Sequence, residues 1–165
     1  AVAKMLNDMA DELLCVRGNC DAEVDQMVLH FPILSDSALL VLDGLTIHAT
    51  HGHIHGPDTP PPLRQEDILL CGHFHVPVRR DCGRYTYLNP GSVALPKENS
   101  PHSCMVLEDG QFTWLDVVTG QPFHARGDGC CLTHAIKKED SDDGRMAAES
   151  SFFMSYFWLG IFQPS

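Results

Sequence analysis

Basic residues are scarce in this chain: 11 Lys and Arg stand against 22 Asp and Glu, for a formal net charge of −11 over 165 residues. No basic run is long enough to track a phosphate backbone. That excludes an extended nucleic-acid footprint, because neutralising phosphates dominates such affinity. A small anionic substrate held through a bound cation is still allowed, since the metal then sets the local field. Long apolar runs are missing too. The densest apolar stretch, "SFFMSYFWLGIF" (151–162), falls short of the roughly 20 residues of a membrane-crossing helix, so no membrane span is expected. Also lacking are a C-x-x-C pair and an internal repeat, and no signal peptide is expected. The seven cysteines (Cys15, Cys20, Cys71, Cys82, Cys104, Cys130, Cys131) are odd in number and do not read as a disulfide framework. A reducing cytoplasm is the expected compartment.

What is present suits one compact domain: the length allows a real core, and the 44% hydrophobic content is ordinary. Val2, Met5, Leu6, Met9 and Leu13 fall at helical spacing, so the sequence opens inside an amphipathic helix. "LLCV" (13–16) suits a buried strand and "RGNCD" (17–21) a polar turn. "AEVDQMVLHF" (22–31) predicts a second helix, stopped by Pro32. Three hairpins follow: 38–50 around Asp43-Gly44, 78–88 around Cys82-Gly83, and 103–118 around Asp109-Gly110. "ILLC" (68–71) is another buried strand, and "NPGSVALPKENSP" (89–101) is irregular. Helices early and strands in hairpins later predict an α/β sandwich with two sheets face to face.

Three polar loops each follow an apolar strand: "RGNCD", "HGHIHG" (51–56) and "GHFH" (72–75). In open α/β sheets ligands bind beyond the carboxyl ends of strands, so these loops can converge on one site. Imidazole nitrogens and an amide oxygen suit divalent cations such as Mn, Fe, Ni or Zn. His73 and His75 point the same way if strand geometry continues, but in a loop they can address two neighbouring ions. Spacing leaves both arrangements open. Taken singly, each histidine reads more readily as a loop residue than as a ligand, and Asn19 as a turn residue. His48 falls on a sheet face, and His30 and His55 read as surface residues. Cys20 is balanced between a small buried thiol and an active-site group.

"GNCD", "THGH", "GHFH" and "NPGS" stand in the order and spacing of the calcineurin-like metallophosphoesterases. The run "RGNCDAEVDQMVLHFPI" is similar to a bacterial phosphodiesterase branch of that family. The resemblance covers roughly residues 4–123 and implies a four-layer α/β/β/α sandwich around two divalent metal ions. Mn is the expected metal, with Fe, Ni, Zn and Mg as alternatives. Carried over motif by motif, the metal ligands are Asn19, His51 and His73 on one ion and His75 on the other. The implied reaction is two-metal hydrolysis of a small phosphodiester, and a homo-oligomer is implied as well. Many members have a histidine where this chain has Cys20, and a thiol is a poor substitute for an imidazolium acid. Cys20, Asp21 and His53 are therefore the candidate catalytic groups. His53 is a candidate proton source, and Asp21 would orient a ligand.

The family pattern begins with "D-x-H" and "G-D" elements, and neither precedes Asn19. "RGDG" (126–129) holds a Gly-Asp in the wrong order. The expectation is an amino-terminally truncated phosphoesterase domain over 1–123, with three of four protein ligands for one ion and one for the other. Residues 124–165 are expected to be an atypical tail, a linker plus an aromatic segment that covers apolar surface, anchors a partner or has no selected role. The alternative function is a non-catalytic protein-interaction scaffold on the same fold, as in a retromer subunit of the family. A further alternative is a split enzyme completed by another chain.

Overall fold

The computed structural model describes residues 2–127. Apart from its first four residues, the expected tail, with its aromatic segment, lies outside the described residues. Two short helices come first, α1 (Val2–Asn7) and α2 (Glu23–Gln26), with a turn of 3-10 helix at Ala10–Glu12 between them. Eight strands follow: β1 (Ser37–Leu42), β2 (Leu45–Thr50), β3 (Ile68–Cys71), β4 (Pro77–Asp81), β5 (Thr86–Pro90), β6 (Ser103–Glu108), β7 (Gln111–Asp116) and β8 (Pro122–Phe123). They form a five-stranded mixed sheet in the order β1-β2-β3-β5-β4 and a three-stranded antiparallel sheet in the order β6-β7-β8.

All three predicted hairpins form. Asp43 and Gly44 both take positive φ (50° and 77°), as do Asp109 and Gly110 (49° and 74°). Two consecutive left-handed residues twist a two-residue turn to match its strands, which explains the Asp-Gly pairs. The two sheets face each other across one core. Ile47, Ile68, Leu70 and Leu88 of the large sheet pack against Met105 and Trp114 of the small one. The other face of the large sheet is covered by Leu63 of the long β2–β3 connection, over Leu69, Cys71 and Tyr87. Both β layers of the expected sandwich are thus present. Helix among the described residues is confined to the amino-terminal segment, around a small core of Leu6, Cys15, Leu29, Phe31 and Ile33.

The helical predictions were too long. The first helix stops at Asn7, and the second is a single turn that ends well before Pro32. Side-chain amides hold the intervening chain in a non-helical path instead. Asn7 donates to the Val28 carbonyl (2.9 Å) and accepts from the His30 N–H (2.8 Å). Gln26 donates to the Leu29 and Phe31 carbonyls (3.2 and 3.0 Å) and accepts from the Ile33 N–H (2.9 Å). Backbone groups satisfied this way no longer need a helix. "LLCV" also forms no ladder among the described residues. Its Leu13 is extended and its Cys15 and Val16 are buried, and at its end the Arg17 N–H bonds the Ser35 carbonyl (2.8 Å).

"NPGS" seals the seam between the sheets. The Asn89 side chain is fully buried; it donates to the Tyr87 hydroxyl (3.2 Å) and accepts the Gly91 N–H (2.8 Å). The Trp114 indole N–H bonds the Asn89 carbonyl (2.8 Å), and Ser103 Oγ donates to the Pro90 carbonyl (2.8 Å). His48 sits on the sheet face, as expected, against the buried Asp67 carboxylate (3.1 Å).

Burial pushes two thiols up to about 11: Cys71 by desolvation, and Cys15 by desolvation with the Asp21 carboxylate adding to it. Raising a thiol pKa from 9.0 to about 11 cuts its thiolate about 100-fold at neutral pH. In the native chain iodoacetamide should therefore modify exposed Cys20 at least about 100-fold faster than Cys15 or Cys71. Denaturant should abolish the difference, and peptide mass spectrometry at timed quenches would read it.

Candidate metal centre

The site is built where two parallel strands end side by side. β2 and β3 run parallel with Thr50 opposite Cys71, so the next residues, His51 and Gly72, leave the sheet together. The His51 carbonyl then accepts two N–H groups, from Gly72 (3.0 Å) and His73 (2.8 Å), which locks the loops in register. Gly52 makes this approach feasible. Its φ is 112°, and a Cβ there would lie 3.2 Å from the Cβ atoms of both Cys71 and His73.

The third loop is drawn in by Asp21. Its carboxylate accepts the Gly18 N–H (2.6 Å), closing the "GNCD" turn. A Cβ on Gly18 would crowd that carboxylate at 3.0 Å, with the His51 ring in ordinary contact at 3.6 Å. Asn19 Nδ2 donates to Cys20 Sγ (3.5 Å), which leaves Asn19 Oδ1 facing His51 Nε2 at 2.9 Å. His73 Nδ1 stands 3.2 Å from the same His51 nitrogen. Adjacent ligands of one ion bound at about 2.0–2.1 Å sit roughly 2.8–3.4 Å apart, so these spacings fit a shared cation.

Protonation agrees with that fit. His51 is pushed down to about 4, first by burial and then by the neighbouring rings of His73, His53 and His75. His73 is lowered as well, by burial first, then His53, Lys97 and His75. Both imidazoles are therefore neutral at pH 7, and a neutral ring carries the lone pair a metal needs. The convergent set is two imidazoles and one amide oxygen. Among the described residues, no group of three His, Cys, Asp or Glu side chains is placed to hold a metal ion. The set can thus hold one borderline cation with open positions, and no carboxylate contributes charge to it.

His75 does not join this set. It lies in a tight turn at φ 60°, with its N–H on the Gly72 carbonyl (3.0 Å), so strand alternation does not carry on from His73. Its Nδ1 donates to the Leu95 carbonyl (2.8 Å), which fixes the tautomer and leaves Nε2 with its lone pair. His53 is exposed; its ring centroid lies 5.2 Å from that of His51 and 6.3 Å from that of His73. The structure therefore groups Asn19, His51 and His73, with Cys20 and Asp21 shaping the turn and His53 beside it. The sequence reading missed the segment from Leu95 to Lys97. Its one signal was a lysine inside an irregular Pro- and Gly-rich stretch.

The calcineurin-like phosphoesterase superfamily domain matches residues 1–110. The chain belongs to that superfamily. Among curated proteins it is 45% identical over 108 residues to the phosphodiesterase YfcE of Escherichia coli, covering 66% of this chain and 59% of that protein. It is 28% identical over 116 residues to a probable metallophosphoesterase of Methanothermobacter thermautotrophicus, covering 66% of this chain and 63% of the relative. In three dimensions it is similar to the phosphoesterase YfcE of E. coli, with a TM-score of 0.72 at 39% identity over 74% of this chain and 68% of that one. The chain spans about 59% of the length of the curated YfcE proteins it matches. No helix among the described residues is long and apolar enough to cross a membrane.

Proposed function

We propose that this chain carries part of a metal-dependent phosphodiesterase site, in which Asn19, His51 and His73 hold one divalent cation and His75 donates to a second. The observation that carries this reading is the meeting of Asn19 Oδ1 and His73 Nδ1 at His51 Nε2, at 2.9 and 3.2 Å. Similarity to a protein named a phosphodiesterase supports the substrate class, a small phosphodiester. A divalent cation bound there would supply electrostatic stabilisation of charge developing on a phosphoryl oxygen.

The side chains have separable roles. Cys20 orients the Asn19 amide, and Asp21 holds the turn that presents it. His53, exposed beside the pair, is our candidate for handing a proton to a leaving oxygen. The ions of a two-metal centre need a bridging carboxylate, which the convergent set does not contain. We therefore take the donor set of this chain to be a half site, with Mn as the preferred ion, in an oligomeric cytoplasmic protein. The phosphoesterase unit extends at least to Arg126, whose N–H and carbonyl pair with the Pro77 carbonyl (3.1 Å) and the Arg79 N–H (3.0 Å) on β4.

A second reading, a protein-binding scaffold, is favoured by edge strand β1. It leaves Leu39 and Val41 64% and 71% exposed on one face. Calorimetric titration with Mn, paired with hydrolysis of bis-p-nitrophenyl phosphate, separates the two. The metal reading expects one ion per chain. Two ions with turnover would mean that the second ion's ligands are also supplied, and the half-site statement would fall. No ion at all would leave the scaffold.

A further inference from the structure

His73, Phe74 and His75 lie in a tight turn that the His75 N–H closes onto the Gly72 carbonyl (3.0 Å), with His75 at φ 60°. In an extended segment, neighbouring side chains point to opposite faces. The turn instead brings the Phe74 ring against the His73 imidazole, with centroids 5.3 Å apart and planes at 72°. Both ends of the turn are held. The Gly72 and His73 N–H groups bond the His51 carbonyl (3.0 and 2.8 Å), and the Lys97 N–H bonds the His75 carbonyl (3.2 Å). His75 Nδ1 adds a bond to the Leu95 carbonyl (2.8 Å). Phe74 is thus carried on a braced frame, in contact with the imidazole whose Nδ1 meets His51 Nε2 at 3.2 Å.

Core packing does not account for this ring. Phe31, Phe112 and Phe123 pack in or against the cores, whereas Phe74 belongs to no core cluster among the described residues and is 39% exposed. Single exposed apolar residues are common on protein surfaces, but this one touches a candidate metal donor. The segments beside it expose apolar side chains too: Ile54 between His53 and His55, and Leu95 at the His75 clasp. A ring in edge-to-face contact with one neighbour keeps surface for a second aromatic partner. In a chain of net charge −11, extra negative charge on a ligand meets repulsion. An aromatic group on a singly charged diester gains contact without that penalty.

We propose that Phe74 is a specificity-determining residue of this site, its ring stacking on an aromatic ester group of a phosphodiester seated at Asn19, His51 and His73. The inference rests on the phosphodiesterase reading and adds the class of ester group that the site prefers. The test is calorimetric titration of diphenyl phosphate and of dimethyl phosphate into the chain and its Phe74→Ala and Phe74→Tyr variants. It is run with and without Mn, beside a Mn titration of each protein. The parent should bind diphenyl phosphate more tightly than dimethyl phosphate. Phe74→Ala should weaken diphenyl phosphate binding about tenfold, as expected for loss of one aromatic pair with its buried area. Its affinities for dimethyl phosphate and for Mn should be unchanged. Phe74→Tyr keeps the aromatic face and should bind diphenyl phosphate as the parent does. No preference in the parent, or an undiminished one in Phe74→Ala, overturns the proposal. So does weaker binding of Mn or an equal loss for both diesters in Phe74→Ala, which would make the ring a support for His73. If the parent chain binds no Mn, the metal reading fails by itself, and the metal-free diester titrations still decide the role of Phe74.

Discussion

Replacing His51 by alanine should abolish divalent-cation binding by this chain, lowering its affinity by more than about a hundredfold, beyond the loss typical for a group that merely supports a ligand. The size follows from where the ring sits. His51 Nε2 is the atom that both Asn19 Oδ1 and His73 Nδ1 face, so its loss leaves two donors with no common neighbour. The fold should survive, because the contribution of His51 to loop registry is its carbonyl, bonded to the Gly72 and His73 N–H groups, and alanine keeps it. The thermal midpoint should fall only as far as loss of one buried ring requires. His55→Ala, an exposed residue of the same loop, is the control and should bind Mn as the parent does. Calorimetry on the three proteins reads the result. Unchanged affinity in His51→Ala would remove the centre from this position.

Gly91→Ala should unfold the protein or destabilise it by about 3 kcal/mol or more, combining a strained backbone with overpacking at the sheet seam. Gly91 has φ 85°, and a Cβ there would overlap Ser103 Oγ and lie 3.1 and 3.2 Å from the Pro77 ring. Neither neighbour can yield cheaply. Ser103 is buried and donates to the Pro90 carbonyl, while Pro77 opens β4 opposite Pro90. Gly110→Ala isolates the backbone part, since Gly110 has a similar φ of 74° but nothing within 4 Å of the added carbon. It should cost about 1 kcal/mol. Thermal unfolding followed by circular dichroism should show a drop of more than about 10 °C for Gly91→Ala and only a few degrees for Gly110→Ala. Similar drops in both would mean that the seam tolerates the extra methyl.

The sequence by itself determined the features set by near neighbours. Asp-Gly pairs marked two hairpins because both residues must take positive φ, and "ILLC" marked a strand buried on both faces. The motif series marked the superfamily and the loops that bear its histidines. Helix length was misjudged because it was settled by contacts distant in sequence: the Asn7 amide reaches Val28 and His30, and no helical period records such a bond. The division of labour among the histidines was equally tertiary. Spacing left His73 and His75 open between one ion and two. The turn at Gly72 and the Leu95 carbonyl directed His75 away from the pair that His73 makes with His51. That pair exists because parallel β2 and β3 end level, at Thr50 and Cys71. The chain chose its donors locally, but only strand register, fixed by burial of Ile47, Ile68 and Leu70 against Met105 and Trp114, brought two of them to 3.2 Å.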